Sequence, residues 1–142
     1  MKHEYTTTHR GGMAFEMTLD GHHKLIMDAE DDFGGKDRGP RPKQLLISAL
    51  TGCTGMDVVS ILNKMKVDYT GFEIKVEADM TEEHPKVYSK IHLIYEFTGK
   101  DLQASMKQIE KAVHLSQNRY CGVVDMLSKA AELTNEIRLI EG

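Results

Sequence analysis

Two cysteines are the only thiols in the 142-residue chain, and each sits in a segment suited to more than filling space. Cys53 lies within Leu45-Leu46-Ile47-Ser48-Ala49-Leu50-Thr51-Gly52-Cys53-Thr54-Gly55-Met56-Asp57-Val58-Val59-Ser60-Ile61-Leu62, a run too apolar to face water and too rich in small residues to be simple core. Cys121 follows Leu115-Ser116-Gln117-Asn118-Arg119-Tyr120, at the expected start of a second helix. Two thiols far apart in sequence make a dithiol redox site if the fold joins them. The reactive form is the thiolate, and it needs nearby positive charge to lower its pKa. The bland alternative for Cys53 is an inert core thiol, since free cysteine is among the most buried residue types. Asp57 stands at i+4 from Cys53, on the same helix face. It reads as a hydrogen-bond acceptor for backbone or Ser/Thr, with proton handling as the sharper alternative.

Other chemistries are poorly served. No Cys-x-x-Cys or His-x3-His spacing marks a metal site, so no metal and no cofactor is expected. Gly34-Gly35-Lys36-Asp37-Arg38-Gly39 lacks the Lys-Ser/Thr ending of a phosphate loop. The nine methionines are scattered at core spacing and read as packing. His22 and His23 follow a turn and read as exposed. The net charge of −4, with no basic run interleaved with aromatics, argues against nucleic acid. Hydrophobic residues at 40% and charged residues at 28% describe one soluble domain, expected to span 1–142. The N-terminal Met1-Lys2-His3-Glu4-Tyr5-Thr6 has no apolar core of a signal peptide. Asp57 and the hydroxyl residues within the apolar run argue against a membrane span. The expected compartment is the reducing cytoplasm, where cysteine pairs are catalytic or metal-binding more often than structural.

The elements that must position the thiols follow from pattern. Residues 2–9 and 13–19 read as strands, Asp20-Gly21 as a hairpin turn and 23–28 as the returning strand. Residues 29–41 read as a loop, and Pro42 suits the first turn of a helix running to about Lys66. Leu45, Leu46, Ala49, Cys53, Met56, Val59 and Leu62 recur at helical steps, with apolar residues on the other faces too. That helix is expected to be buried nearly all round. Gly52 and Gly55 would weaken it, so a second backbone is expected beside Cys53. Residues 72–80 and 87–97 alternate as two long antiparallel strands with one wet face. Asp101 is expected to cap a helix to about Leu115, with Leu102, Met106, Ile109 and Val113 on one stripe. A short helix from about Tyr120 to Ala130 and a strand over 132–141 complete an α+β domain. An all-round apolar helix is hard to bury in one small chain, so a homodimer is expected.

These residues resemble the OsmC/Ohr family of osmotically induced and organic-hydroperoxide-resistance proteins. The resemblance rests on Pro42-Lys43-Gln44-Leu45-Leu46 leading to Gly52-Cys53, on Leu115-Ser116 leading to Tyr120-Cys121, and on element order along essentially the whole chain. Cys53 through Leu62 looks closer to the YhfA-like branch. The resemblance implies an intertwined homodimer, with antiparallel sheets around a buried central helix and the site at the subunit interface. It implies that Cys53 attacks an organic hydroperoxide, that Cys121 resolves the sulfenic acid, and that a dithiol or lipoylated protein restores both thiols.

The family's peroxidases place an acid directly after the proline that opens the helix; here Lys43 stands there, followed by Gln44. They also place an arginine near the site, for which Arg10 is the best match, with Arg38 and Arg41 as loop alternatives. Lys43 lies ten residues before Cys53, roughly 15 Å along one helix, and reads as solvated. The competing reading is a non-catalytic dimer of the same fold that binds an apolar small molecule.

Overall fold

The computed structural model describes residues Met1–Gly142. The chain falls into two compact units, Met1–Ser48 and Ala49–Gly142. Each has its own sheet.

The first unit is an antiparallel meander of β1 (Thr6–His9), β2 (Phe15–Leu19) and β3 (His23–Met27). Asp20 and Gly21 both have positive φ, 50° and 76°. That is the pair of left-handed residues a tight hairpin requires, which is why Asp-Gly marks it. Asp28 then organises the loop that follows. Its carboxylate is buried and accepts from the backbone N–H groups of Ala29, Lys36 and Arg38 and from Arg38 Nε at 2.9 Å. The Arg38 side-chain bond holds the Asp28 carboxyl well below the usual carboxylate range. Arg38 Nη2 also donates to Gly11 O at 3.0 Å, tying the loop to the turn between β1 and β2. A Cβ at Gly35 would stand 1.8 Å from Ala29 O, so this close approach admits no side chain.

Pro42 opens helix α1 (Pro42–Lys64), as its fixed φ and missing N–H favour. The second unit begins within it. Its sheet is β4 (Gly71–Met80), β5 (Tyr88–Gly99) and β6 (Glu132–Glu141), in that order. Two helices, α2 (Met106–Leu115) and α3 (Gly122–Ser128), cross over between β5 and β6.

Four expectations need correction. The second sheet is not wholly antiparallel: β4 and β5 pair antiparallel, but β5 and β6 pair parallel, from Lys90↔Glu132 to Gly99↔Glu141. A crossover connection is what parallel pairing requires. As the central strand, β5 buries Ile91, Leu93, Tyr95 and Phe97 on one face, and on the other Ile94 among the partly exposed His92, Glu96 and Thr98. This explains the slip in its alternation at Leu93-Ile94. Secondly, α1 is not buried all round within the chain. Only Leu50, Thr54, Val58 and Leu62 are buried, while Met56 is 76% exposed. Thirdly, Asp101 makes no side-chain cap. It is left-handed, φ 53°, and leads into a 3-10 turn (Leu102–Ser105) before α2 begins. Fourthly, no second backbone of the same chain crowds Gly52 or Gly55: a Cβ on Gly52 would meet open space within the chain, and one on Gly55 would meet only the Ile74 side chain at 3.3 Å.

Candidate active site

The second unit brings the two cysteines together. The sulfurs of Cys53 and Cys121 and a carboxylate oxygen of Asp57 all lie within 4.8 Å of one another. Both thiols are free. Cys53 is half-buried on α1; Cys121 is 4% exposed.

Local structure explains the position of Cys121. Helix α2 ends in a widened turn, Ser116–Tyr120, whose closing bond runs from Cys121 N to Ser116 O at 2.9 Å. Such π turns recur at functional sites. The turn leaves Cys121 extended (φ −77°, ψ 103°) as the N-cap of α3, where its sulfur accepts from Val124 N at 3.4 Å. Burial pushes the Cys121 thiol up to about 11, and the Cys53 neighbour adds to the rise, against the opposing Val124 N–H. Cys121 is therefore protonated near neutral pH.

A buried polar chain ends on Asp57. Ser116 Oγ donates to Asp57 Oδ2 at 3.0 Å. Ser116 Oγ and Tyr95 OH each lie 2.7 Å from Thr54 Oγ1. The Gln117 amide Nε2 donates to Tyr95 OH. Each hydroxyl has one proton, so the directions follow. Ser116 spends its proton on Asp57, Thr54 must donate to Ser116, and Tyr95 must donate to Thr54. The whole chain points its protons at the Asp57 carboxylate. Burial raises the Tyr95 phenol above its ordinary value, so it stays protonated as that order needs. Asp57 thus takes the hydrogen-bonding role expected of it, yet it also faces both thiols.

Thr54, Tyr95, Ser116 and Gln117 were not singled out by type or spacing. Thr54 had a signal: it is the polar member of the buried stripe Leu50, Thr54, Val58, Leu62. Tyr95 and Gln117 had none, because the widened turn that aims Gln117 inward leaves no mark in the pattern.

The other predicted residues lie in the first unit. Arg10 Nη2 pairs with Glu16 Oε1 at 2.9 Å. Arg41 pairs with Asp37 at 2.8 Å and donates to Gly39 O, and the Asp37 bond raises its pKa. Gln44 Oε1 accepts from Arg41 N at 3.0 Å, closing the first turn of α1, and Lys43 precedes it on that helix.

Three potential cation donors gather at Cys53, Asp57 and Cys121 despite their wide spacing in sequence. A thiol becomes a metal ligand only by losing its proton, and Asp57 Oδ2 already receives Ser116. Beside the site, Asp57, Ser60, Ile61, Lys64, Met65, Lys111, Leu115 and Tyr120 line a cavity of about 630 Å³.

The family described as OsmC-like protein matches residues 34–136, most of the chain. This protein belongs to the OsmC-like family. Among OsmC-like relatives it is similar to protein YhfA of Escherichia coli K12, 34% identical over 118 residues, covering 83% of this chain and 84% of that protein. Its fold matches a crystal structure of a hypothetical protein from Aquifex aeolicus VF5, with a TM-score of 0.83, 24% identity, and coverage of 100% of this chain and 99% of that one. It also matches the fold of an organic hydroperoxide resistance protein OsmC from Legionella pneumophila, with a TM-score of 0.63, 20% identity, and coverage of 96% and 99%. The OsmC-like α+β fold, with two three-stranded sheets and three helices, is thereby established.

Proposed function

We propose that this protein reduces organic hydroperoxides by a two-thiol mechanism, as a cytoplasmic homodimer. The observation that carries the reading is the meeting of Cys53 and Cys121 sulfurs within 4.8 Å, across 67 intervening residues of sequence. The Cys53 thiolate attacks the outer oxygen of the hydroperoxide. The O–O bond breaks, an alcohol leaves after taking a proton, and Cys53 becomes a sulfenic acid. Cys121 then attacks that sulfur, expelling water and forming a disulfide. A dithiol, free or on a lipoylated protein, exchanges with the disulfide and restores both thiols. Assignment of Cys53 as the attacking thiol is supported by exposure: it is half-buried, while Cys121 is buried and protonated.

A second reading is a dimer that binds an apolar small molecule without turning it over. Lys43 favours it, standing where the family's peroxidases place an acid. One assay separates the two. Organic hydroperoxide is mixed with a dithiol and the protein, and hydroperoxide loss is followed. Consumption well above the uncatalysed rate supports the peroxidase. Consumption at the uncatalysed rate overturns it in favour of binding.

A further inference from the structure

We propose that Asp57 is the general base of the resolving step, taking the Cys121 thiol proton as that sulfur attacks Cys53. The inference rests on the two-thiol reading and adds a catalytic group to it.

The need for a base comes from Cys121 itself. Its burial and the Val124 N–H that contacts it leave no cation bonded to the sulfur, and its pKa of about 11 makes the thiolate scarce at neutral pH. A resolving thiol that waited for spontaneous ionisation would be slow, and the sulfenic acid at Cys53 would meet a second peroxide first. The Asp57 carboxylate is within 4.8 Å of both sulfurs and is the only carboxylate in that group. Apo geometries of this kind tighten in the reacting complex.

The polar chain fits the same role. With Gln117, Tyr95, Thr54 and Ser116 each donating to the next, the chain anchors the Asp57 carboxylate at one oxygen, Oδ2, beside the thiols. The ionisable groups facing it are Cys53 on the same helix, Cys121, Tyr95 of β5, and Lys64, Lys111 and Tyr120 around the adjoining cavity. The step balances. Cys121 loses its proton to Asp57 as the S–S bond forms and the S–O bond of the Cys53 sulfenic acid breaks. Asp57 then passes the proton to the departing hydroxide, which leaves as water. The carboxylate ends as it began.

The test needs no hydroperoxide. An aromatic disulfide, dithiobis(nitrobenzoate), loads Cys53 as a mixed disulfide with release of one thionitrobenzoate. Attack by Cys121 then releases the second and closes the Cys53–Cys121 disulfide. For Asp57→Asn, which keeps an oxygen for Ser116, the ratio of second-phase to first-phase rate should fall about 100-fold, the scale of general-base assistance. The second phase of that variant should climb with the Cys121 thiolate fraction as pH rises toward 11, whereas the wild-type phase should be flatter. Asp57→Glu should recover part of the loss. A ratio unchanged in Asp57→Asn, or an unchanged pH profile, overturns the inference. So does equal slowing of both phases with a lowered melting temperature, which marks a structural role. Should hydroperoxide consumption fail while the ring-closure result holds, the substrate reading falls and the Asp57 assignment stands.

Discussion

At the scale of single residues, the two thiols differ in their surroundings in a way that supports the proposed order of attack. Cys53 is half-buried, with open space where Gly52 would carry a side chain; Cys121 is buried with its proton held on. Cys53→Ser should therefore abolish hydroperoxide consumption. Cys121→Ser should complete one turnover and then stall, with a sulfenic or sulfinic acid at Cys53 visible by mass spectrometry. Full activity in Cys53→Ser would reverse the assignment. Thr54 offers a separate check on the buried chain. Thr54→Val keeps the shape but leaves the Tyr95 O–H proton without its acceptor and Ser116 with Asp57 alone, and an unsatisfied buried group costs about 1–3 kcal/mol. Chemical denaturation should show a loss of that size, and an unchanged midpoint would mean the hydroxyls find other partners. The thiols were legible in the sequence because cysteine is rare and its neighbours are small. Tyr95 and Gln117 were not, since their role depends on a contact between β5 and a π turn that no local pattern announces.

Elements were legible wherever one local rule decides them. Asp20-Gly21, Pro42 and the period-two run of β4 each turned out as read, and β6 falls on Glu132–Glu141. The direction of β6 was not legible, because parallel pairing is set by the crossover through α2 and α3 rather than by the strand's own residues. Nor was the Asp28 knot, built from groups up to ten residues apart whose convergence depends on close approach at Gly35. That knot carries a pH dependence. The Asp28 carboxyl is depressed on folding, by the Arg38 bond first of all. Its contribution is therefore present above the unfolded carboxylate pKa of about 4 and is lost as pH falls through the depressed folded value. Melting temperature should drop below about pH 4, and Asp28→Asn should drop less steeply there while melting roughly 5 °C lower at neutral pH. Parallel curves for the two proteins would show that Asp28 does not control the acid limb.

On the scale of the whole molecule, the exposed side of α1 is the outstanding feature. Met56 is 76% exposed, and with Thr51, Gly52, Gly55, Val59, Ser60, Asn63, Phe72 and Ile74 it lines a cavity of about 680 Å³ along the helix. The buried stripe of Leu50, Thr54, Val58 and Leu62 occupies one face only; Leu46 and Met56 are exposed, and Leu45, Ile47, Val59 and Ile61 are only partly covered within the chain. The composition of α1 is explained if a second copy supplies that cover, because an exposed apolar patch of this kind marks an interaction surface. Sedimentation equilibrium at micromolar concentration should then give twice the 16.0 kDa chain mass. Met56→Glu should shift the protein to the monomer, since a charge at the centre of an apolar interface is desolvated without a partner. Because Cys53 lies on the same helix, the monomer should also lose hydroperoxide turnover, whereas Met56→Leu should keep both dimer and rate. A wild-type protein that sediments as a folded monomer would refute the homodimer, and a Met56→Glu monomer with full turnover would show that one chain completes the site alone.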